Sequence, residues 1–84
     1  MKILFTSKSW EDYLYWQNND RKILKRVNDI IKDIIRTPYE GIGKPEPLKY
    51  DYNGYWSRRI NQEHRLVYKT DNNTLYIAQC KYHY

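Results

Sequence analysis

The chain carries a single cysteine, Cys80, so no internal disulfide framework can staple it, and a reducing, cytoplasmic setting is expected. Cys80 sits in an apolar run, where it reads as a small buried thiol rather than a nucleophile. No apolar stretch approaches the roughly 18 residues of a membrane span. Met1-Lys2-Ile3-Leu4-Phe5 lacks the long apolar region of a secretory leader. Two histidines and one cysteine offer no ligand spacing of the zinc type, so neither a metal nor a cofactor is expected. Glycines number only three, and Gly41-Ile42-Gly43-Lys44 lacks the strand-then-helix setting of a phosphate-binding loop. There is no linker, repeat or low-complexity run, and residues 1–84 read as one domain.

A chain of 84 residues has a small core, because domains of this size bury only roughly 60% of their unfolded surface. The mean hydropathy of −1.01 would point to disorder if aliphatic residues alone supplied the apolar content. They do not: ten Tyr, three Trp and one Phe bring large areas and, in Tyr and Trp, polar handles. Fifteen Lys and Arg against ten Asp and Glu give a net charge of +5. That balance fits an anionic partner, either nucleic acid or an acidic protein, although small basic proteins also occur that bind neither specifically.

Residues 1–5 read as a short strand, and Thr6 or Ser7 can cap the helix that follows. Trp10, Tyr13, Leu14 and Gln17 recur at helical spacing up to Asn18-Asn19. Asp20 then caps a second helix, whose Ile23, Leu24, Val27, Ile30, Ile31 and Ile34 form one apolar face. Lys22, Lys25, Arg26, Asp29, Lys32 and Asp33 are left toward water, and Thr37-Pro38 ends the helix. Residues 39–47 read as a loop. Beyond it come β-prone runs at Leu48–Tyr50, Tyr55–Ile60, His64–Lys69 and Leu75–Tyr82, separated by turn clusters such as Asp71-Asn72-Asn73. The expectation is an α+β fold, with two N-terminal helices packed on one face of an antiparallel β-sheet and the other face open.

The run 58–69 sets Arg58, Arg59, Arg65 and Lys69 against only Glu63, a local cationic zone on strands. Such a zone raises the question of phosphodiester chemistry. Without metal, RNA is cut by its own 2′-hydroxyl, given a base, a fixed cation and an acid. Glu46, between Pro45 and Pro47, has a backbone restricted by both neighbours and is the candidate base. The competing reading is an exposed loop carboxylate. Arg59 and Arg65 are the phosphate candidates, since a guanidinium fork matches two phosphate oxygens; salt-bridged surface arginines are the alternative. His83 is the candidate acid, because an imidazole exchanges protons near neutrality, unless it is simply a tail residue. His64 reads as packed or hydrogen-bonded within a hairpin, and Trp10, Trp16 and Trp56 as packing residues. Tyr50, Tyr52, Tyr55, Tyr82 and Tyr84, interleaved with Lys49, Arg58 and Arg59, can stack unpaired bases or merely fill space.

Five segments together resemble the YoeB toxin family: Trp10-Glu11-Asp12-Tyr13-Leu14-Tyr15-Trp16, Gly43-Lys44-Pro45-Glu46-Pro47-Leu48-Lys49, Gly54-Tyr55-Trp56-Ser57-Arg58-Arg59-Ile60, Glu63-His64-Arg65-Leu66-Val67-Tyr68 and Cys80-Lys81-Tyr82-His83-Tyr84. The resemblance covers essentially the whole chain. It implies a RelE-type, microbial-ribonuclease-like fold and cleavage of mRNA in the ribosomal decoding (A) site. It also implies an acidic antitoxin partner of the YefM/Phd kind, joint repression of the operon, and a possible homodimer. Within it, Glu46 corresponds to the general base, Arg65 to the transition-state clamp and His83 to the general acid, while Lys49, Arg59 and Tyr84 assist RNA binding or catalysis. One departure is Lys81, where the family often has arginine; lysine keeps the charge but loses the fork. Two rival readings remain open from sequence. One is a non-catalytic RNA or ribosome binder, the other a DNA-binding repressor subunit, although no helix-turn-helix stands out.

Overall fold

The structure, a computed structural model, describes residues 1–83. Strand β1 (Lys2–Phe5) leads into helices α1 (Ser7–Asn19) and α2 (Arg21–Arg36). Strands β2 (Glu46–Pro47), β3 (Trp56–Arg59), β4 (Arg65–Asp71) and β5 (Thr74–Gln79) follow, with one 3-10 turn at Tyr50–Tyr52. The helix boundaries have local causes. The Thr6 side chain accepts from the Ser9 N–H to start α1. Asp20 donates its N–H to the Trp16 carbonyl to close α1, and its carboxylate accepts from Lys22 and Ile23 to open α2. One residue therefore turns the chain through the helical hairpin. The Tyr13 hydroxyl, donating to Asn28 at 2.8 Å, ties the two helices together.

The five strands form one sheet in the order β1-β5-β4-β3-β2. Strands β2 to β5 are an antiparallel meander, as expected, but β1 joins β5 in parallel, so the sheet is mixed. A strand followed at once by a helical hairpin has no tight turn to fold it back antiparallel, and β1 instead reaches the far edge. The β4–β5 turn is built on Asn72 (φ 50°) and Asn73 (φ 56°), the two left-handed positions of a tight hairpin.

The core lies between the helices and the inner face of the sheet. Val27, Ile30, Ile31 and Ile34 of α2 and Trp16 of α1 meet Leu66, Tyr68, Leu75, Ile77 and Cys80. At roughly 1.5–3 kcal/mol per buried large apolar side chain, this cluster is the main stabilising contribution. Trp56 packs partly against it, whereas Trp10 is 47% exposed and stacks on Tyr13. No helix among the described residues is long and apolar enough to cross a membrane.

Further expectations need correction. Leu48–Tyr50 is not a strand: the pairing segment is Glu46–Pro47, and the chain then curls into the 3-10 turn with Tyr50 at φ 58°. Pro47 has no N–H to extend the ladder, which keeps β2 short and at the sheet edge. The last strand ends at Gln79, because the Cys80 N–H is taken by Asp12 (3.0 Å) and its carbonyl by the Trp16 indole (2.8 Å). Asp33 does not face water. It is buried and paired with Arg58, which is itself fully buried rather than part of an exposed cationic zone.

Candidate active site

Side chains on a strand alternate between faces, so register decides which residues meet. On β4, Leu66 and Tyr68 point into the core, leaving Arg65, Val67 and Lys69 on the outer face. Across that face Glu46 opposes Ser57, Ser57 opposes Val67, and Val67 opposes Gln79. These four residues form one row over four strands, about 14 Å long at the usual spacing of neighbouring strands. Ser57 and Val67 form its floor and are buried, at 3% and 1% exposure, so side chains around the row shield this part of the outer face.

The row is flanked by cations. On one side Arg59 and Arg65 oppose each other across β3 and β4. On the other, the Lys69 ammonium lies 5.1 Å from the centre of the Tyr55 ring and 5.4 Å from that of Tyr76. Arg65 Nη1 donates to the carbonyls of Asn61 (2.7 Å), Gln62 (3.2 Å) and His64 (3.2 Å). Those bonds fix the guanidinium by one nitrogen, while Nε and Nη2 make up the edge suited to a phosphate. His83 Nε2 lies 3.4 Å from the same Gln62 carbonyl. Arg65 and His83 thus meet at one oxygen atom of the β3–β4 turn, at the end of the face where the tail returns.

The tail is brought back by bonds from several elements. Tyr82 donates its N–H to His64 Nδ1 (2.8 Å), and its carbonyl accepts from the Arg65 N–H (3.0 Å). His64 is buried with its ring against Trp16, in agreement with the structural reading of this histidine. The bond from Tyr82 uses Nδ1 as the acceptor, which leaves Nε2 as the ring's donor nitrogen. Lys81, the departure from the family pattern, lies 3.6 Å from the Tyr15 ring centre and 4.9 Å from that of Tyr82. Its charge is used to pin the tail to α1, and this contact does not need the arginine fork.

Of the remaining candidates, Lys49 is exposed on the segment 46–52, which curls around an open cleft beside Glu46. Tyr50, on the same segment, is 91% exposed. Tyr84 lies outside the described residues. Burial pushes the Cys80 thiol up to about 12, with the Asp12 carboxylate adding to the effect, so it holds no thiolate near neutrality. Among the described residues, no group of three or more His, Cys, Asp and Glu is placed to hold a metal ion.

Beneath the row lies a second polar assembly that sequence reading missed. Arg58 donates from Nε to the Tyr68 hydroxyl (3.2 Å), from Nη1 to Asp33 (2.6 Å) and the Ile42 carbonyl (3.1 Å), and from Nη2 to the carbonyls of Thr37 (2.6 Å) and Glu40 (2.9 Å). The Ile42 N–H and the Arg58 guanidinium on Asp33 hold its carboxyl down at about 2. This knot fastens the connection 37–43 to the sheet just before Glu46. A Cβ on Gly41 (φ 125°) would stand 2.0 Å from the Asp33 carboxylate, so only glycine fits there. Strand alternation was the available signal, since Arg58 and Arg59 cannot face the same way.

Comparison with known proteins agrees with the fold. The model of the YoeB-like toxins of bacterial type II toxin–antitoxin systems matches residues 5–84. The chain is 58% identical to Toxin YoeB of Escherichia coli O6:H1 over the full length of both, and 61% identical to Toxin YoeB of a Synechocystis species over 100% of this chain and 98% of the relative. Among solved structures, the YoeB/ParE toxin from Agrobacterium tumefaciens superposes with a TM-score of 0.96 at 49% identity, covering both chains fully. The YoeB dimer from Staphylococcus aureus superposes with a TM-score of 0.94 at 54% identity, and YoeB in the YoeB–YefM complex from that organism at 0.93 and 53%; each covers all of this chain and 98% of the other.

Proposed function

Because the chain belongs to the YoeB-like toxins of bacterial type II toxin–antitoxin systems, we propose that it is an endoribonuclease that cuts mRNA in the ribosomal A site and so stops translation. The reading rests on one observation above the rest: Arg65 and His83 meet at the Gln62 carbonyl, on the face where Glu46 ends the cross-strand row. In this mechanism Glu46 takes the proton from the 2′-hydroxyl, whose oxygen bonds to phosphorus. Arg65, assisted by Arg59, stabilises the charge that builds on the phosphorane oxygens. The bond from phosphorus to the 5′-oxygen breaks, and His83 delivers a proton to the departing oxygen. The products are a 2′,3′-cyclic phosphate and a 5′-hydroxyl end, and no metal enters the step. Lys49 and Tyr50, at the cleft beside Glu46, hold the backbone and a splayed base; Tyr84 assists at the tail.

The YoeB–YefM complex of the Staphylococcus aureus relative supports a YefM/Phd-like antitoxin as partner, and the net charge of +5 suits an acidic chain. With that partner the protein represses its own operon, and a YoeB dimer from the same organism supports a homodimer. The ribosome, the cytoplasm and a single domain over 1–84 belong to the same reading.

Primer extension on mRNA from cells expressing wild type or His83→Ala tests it. Wild type is expected to generate new ends within translated codons, and His83→Ala to lose about 10²–10⁴-fold of the cutting, as removal of a general acid does. Translation arrest by both proteins without new mRNA ends would replace this mechanism with A-site blockage by occupancy.

A further inference from the structure

The mechanism needs His83, close to the chain end, to be held still. The last strand residue, Gln79, is placed to do this. In the β4–β5 ladder Tyr68 pairs with Ile77 but Val67 pairs with Gln79, so Ala78 is an extra residue, a β-bulge. A bulge re-aims the side chains beyond it. Here it allows both Ile77 and Cys80 to enter the core and turns Gln79 onto the outer face, at the end of the row that begins with Glu46. The Gln79 side chain then folds toward the tail. Its Nε2 donates to the carbonyls of Lys81 (2.9 Å), Tyr82 (3.2 Å) and His83 (2.9 Å). An amide nitrogen has two hydrogens, so at least one of the three bonds is shared. For three successive carbonyls to point at one atom the backbone must coil tightly, and Tyr82 does so at φ 66°, in the left-handed region that a bulky residue occupies at a cost of about 1–3 kcal/mol. The anchors described above hold Cys80, Lys81 and Tyr82; Gln79 reaches the main chain of His83 itself.

We propose that Gln79 is a positioning residue for the reaction: its amide clamps the coiled tail and thereby sets the His83 imidazole against the leaving oxygen. This inference rests on the proposed role of His83 as general acid. Gln79 touches neither substrate nor reacting atoms, so its contribution passes entirely through His83.

The test is a double-mutant cycle on the intact protein with programmed ribosomes, under single-turnover conditions. It uses Gln79→Met, which keeps the side-chain length and loses the donors, alone and combined with His83→Ala. Gln79→Met is expected to cut about 10–100-fold more slowly, the scale on which misplacing a reacting group lowers rate. Its half-saturating ribosome concentration should stay within about twofold, and its melting temperature close to wild type. In the His83→Ala background the same substitution should change the residual rate by less than about twofold, because the group it positions is gone. Losses that multiply in the double variant would overturn the inference, as would a Gln79→Met protein that cuts at the wild-type rate or one whose defect lies in binding. If His83→Ala alone cuts like wild type, the proposed function fails, and this inference fails with it.

Discussion

Arg58 and Arg59 leave the same strand in opposite directions, and their surroundings could hardly differ more. Arg58 is sealed beneath the sheet, with all three guanidinium nitrogens bonded to Asp33, Tyr68 and the carbonyls of the 37–43 connection. Arg59 is exposed on the outer face, opposite Arg65 and beside the row from Glu46 to Gln79. Similar charge therefore serves two ends. Inside, a guanidinium is stable only with every donor satisfied, and it fastens a loop. Outside, it keeps donor edges available for an anion arriving from solvent. The adjacent pair shows that in a strand the face, more than the residue type, decides whether an arginine is locked inside or left open to solvent.

That contrast can be broken most forcefully from the inside. Arg58→Met leaves the Asp33 carboxylate with only Arg36 and the Ile42 N–H and strips the Thr37, Glu40 and Ile42 carbonyls of the Arg58 donors, and should destabilise the protein by about 3–5 kcal/mol in urea unfolding. On a chain of this size such a loss threatens folding itself. Arg65→Ala should do the reverse. Cleavage should fall about 10²–10³-fold, the usual effect of removing a group that stabilises transition-state charge. Stability should change by only about 1 kcal/mol, from the lost bonds to the turn carbonyls. An Arg65→Ala protein that melts as low as Arg58→Met would erase the distinction.

Smaller changes sharpen it. Tyr50→Ala should weaken substrate binding by about 1–3 kcal/mol, the range for one base stacked on an aromatic ring, while Tyr50→Phe should bind as wild type does; thermal melting should not move, since Tyr50 is 91% exposed. The mildest probe is acid. The Asp33 carboxyl is held at about 2, against an ordinary value of 3.8. A depressed folded-state value means that its stabilising contribution is complete above about pH 4 and disappears as pH falls through about 2. Unfolding free energy measured from pH 5 down to pH 2 should therefore decline, and the part of that slope due to Asp33 should vanish in Asp33→Asn.

Much of this could be read from the residues in order. The stripe from Ile23 to Ile34 and the caps at Thr6 and Asp20 are local features, and they set two helices where the structure has them. Asn72-Asn73 marks the β4–β5 turn for the same reason: asparagine tolerates the left-handed backbone the turn requires. Glu46, Arg59, Arg65 and His83 stood out by residue type and by family resemblance; register sets Glu46, Arg59 and Arg65 on one face, and His83 meets Arg65 at the Gln62 carbonyl. Arg58 and Asp33 were misread, because charged residues are expected outside until a specific partner is known. Gln79 carried no signal at all. A polar residue near the end of a strand looks like solvent-facing surface, and nothing local announces three carbonyls waiting for its amide.

What the sequence alone determined, then, is where the helices begin and end, where the tightest hairpin turns, and which chemical groups are present. Those properties depend on interactions within a few residues of each other, which the order of side chains encodes directly. The tertiary structure decided the parallel pairing of β1, the burial of Arg58, the bulge at Ala78 and the return of the tail to Arg65. Each of these arises from distant segments competing for the same backbone hydrogen bonds and the same core volume, and that competition is resolved only when the whole chain packs.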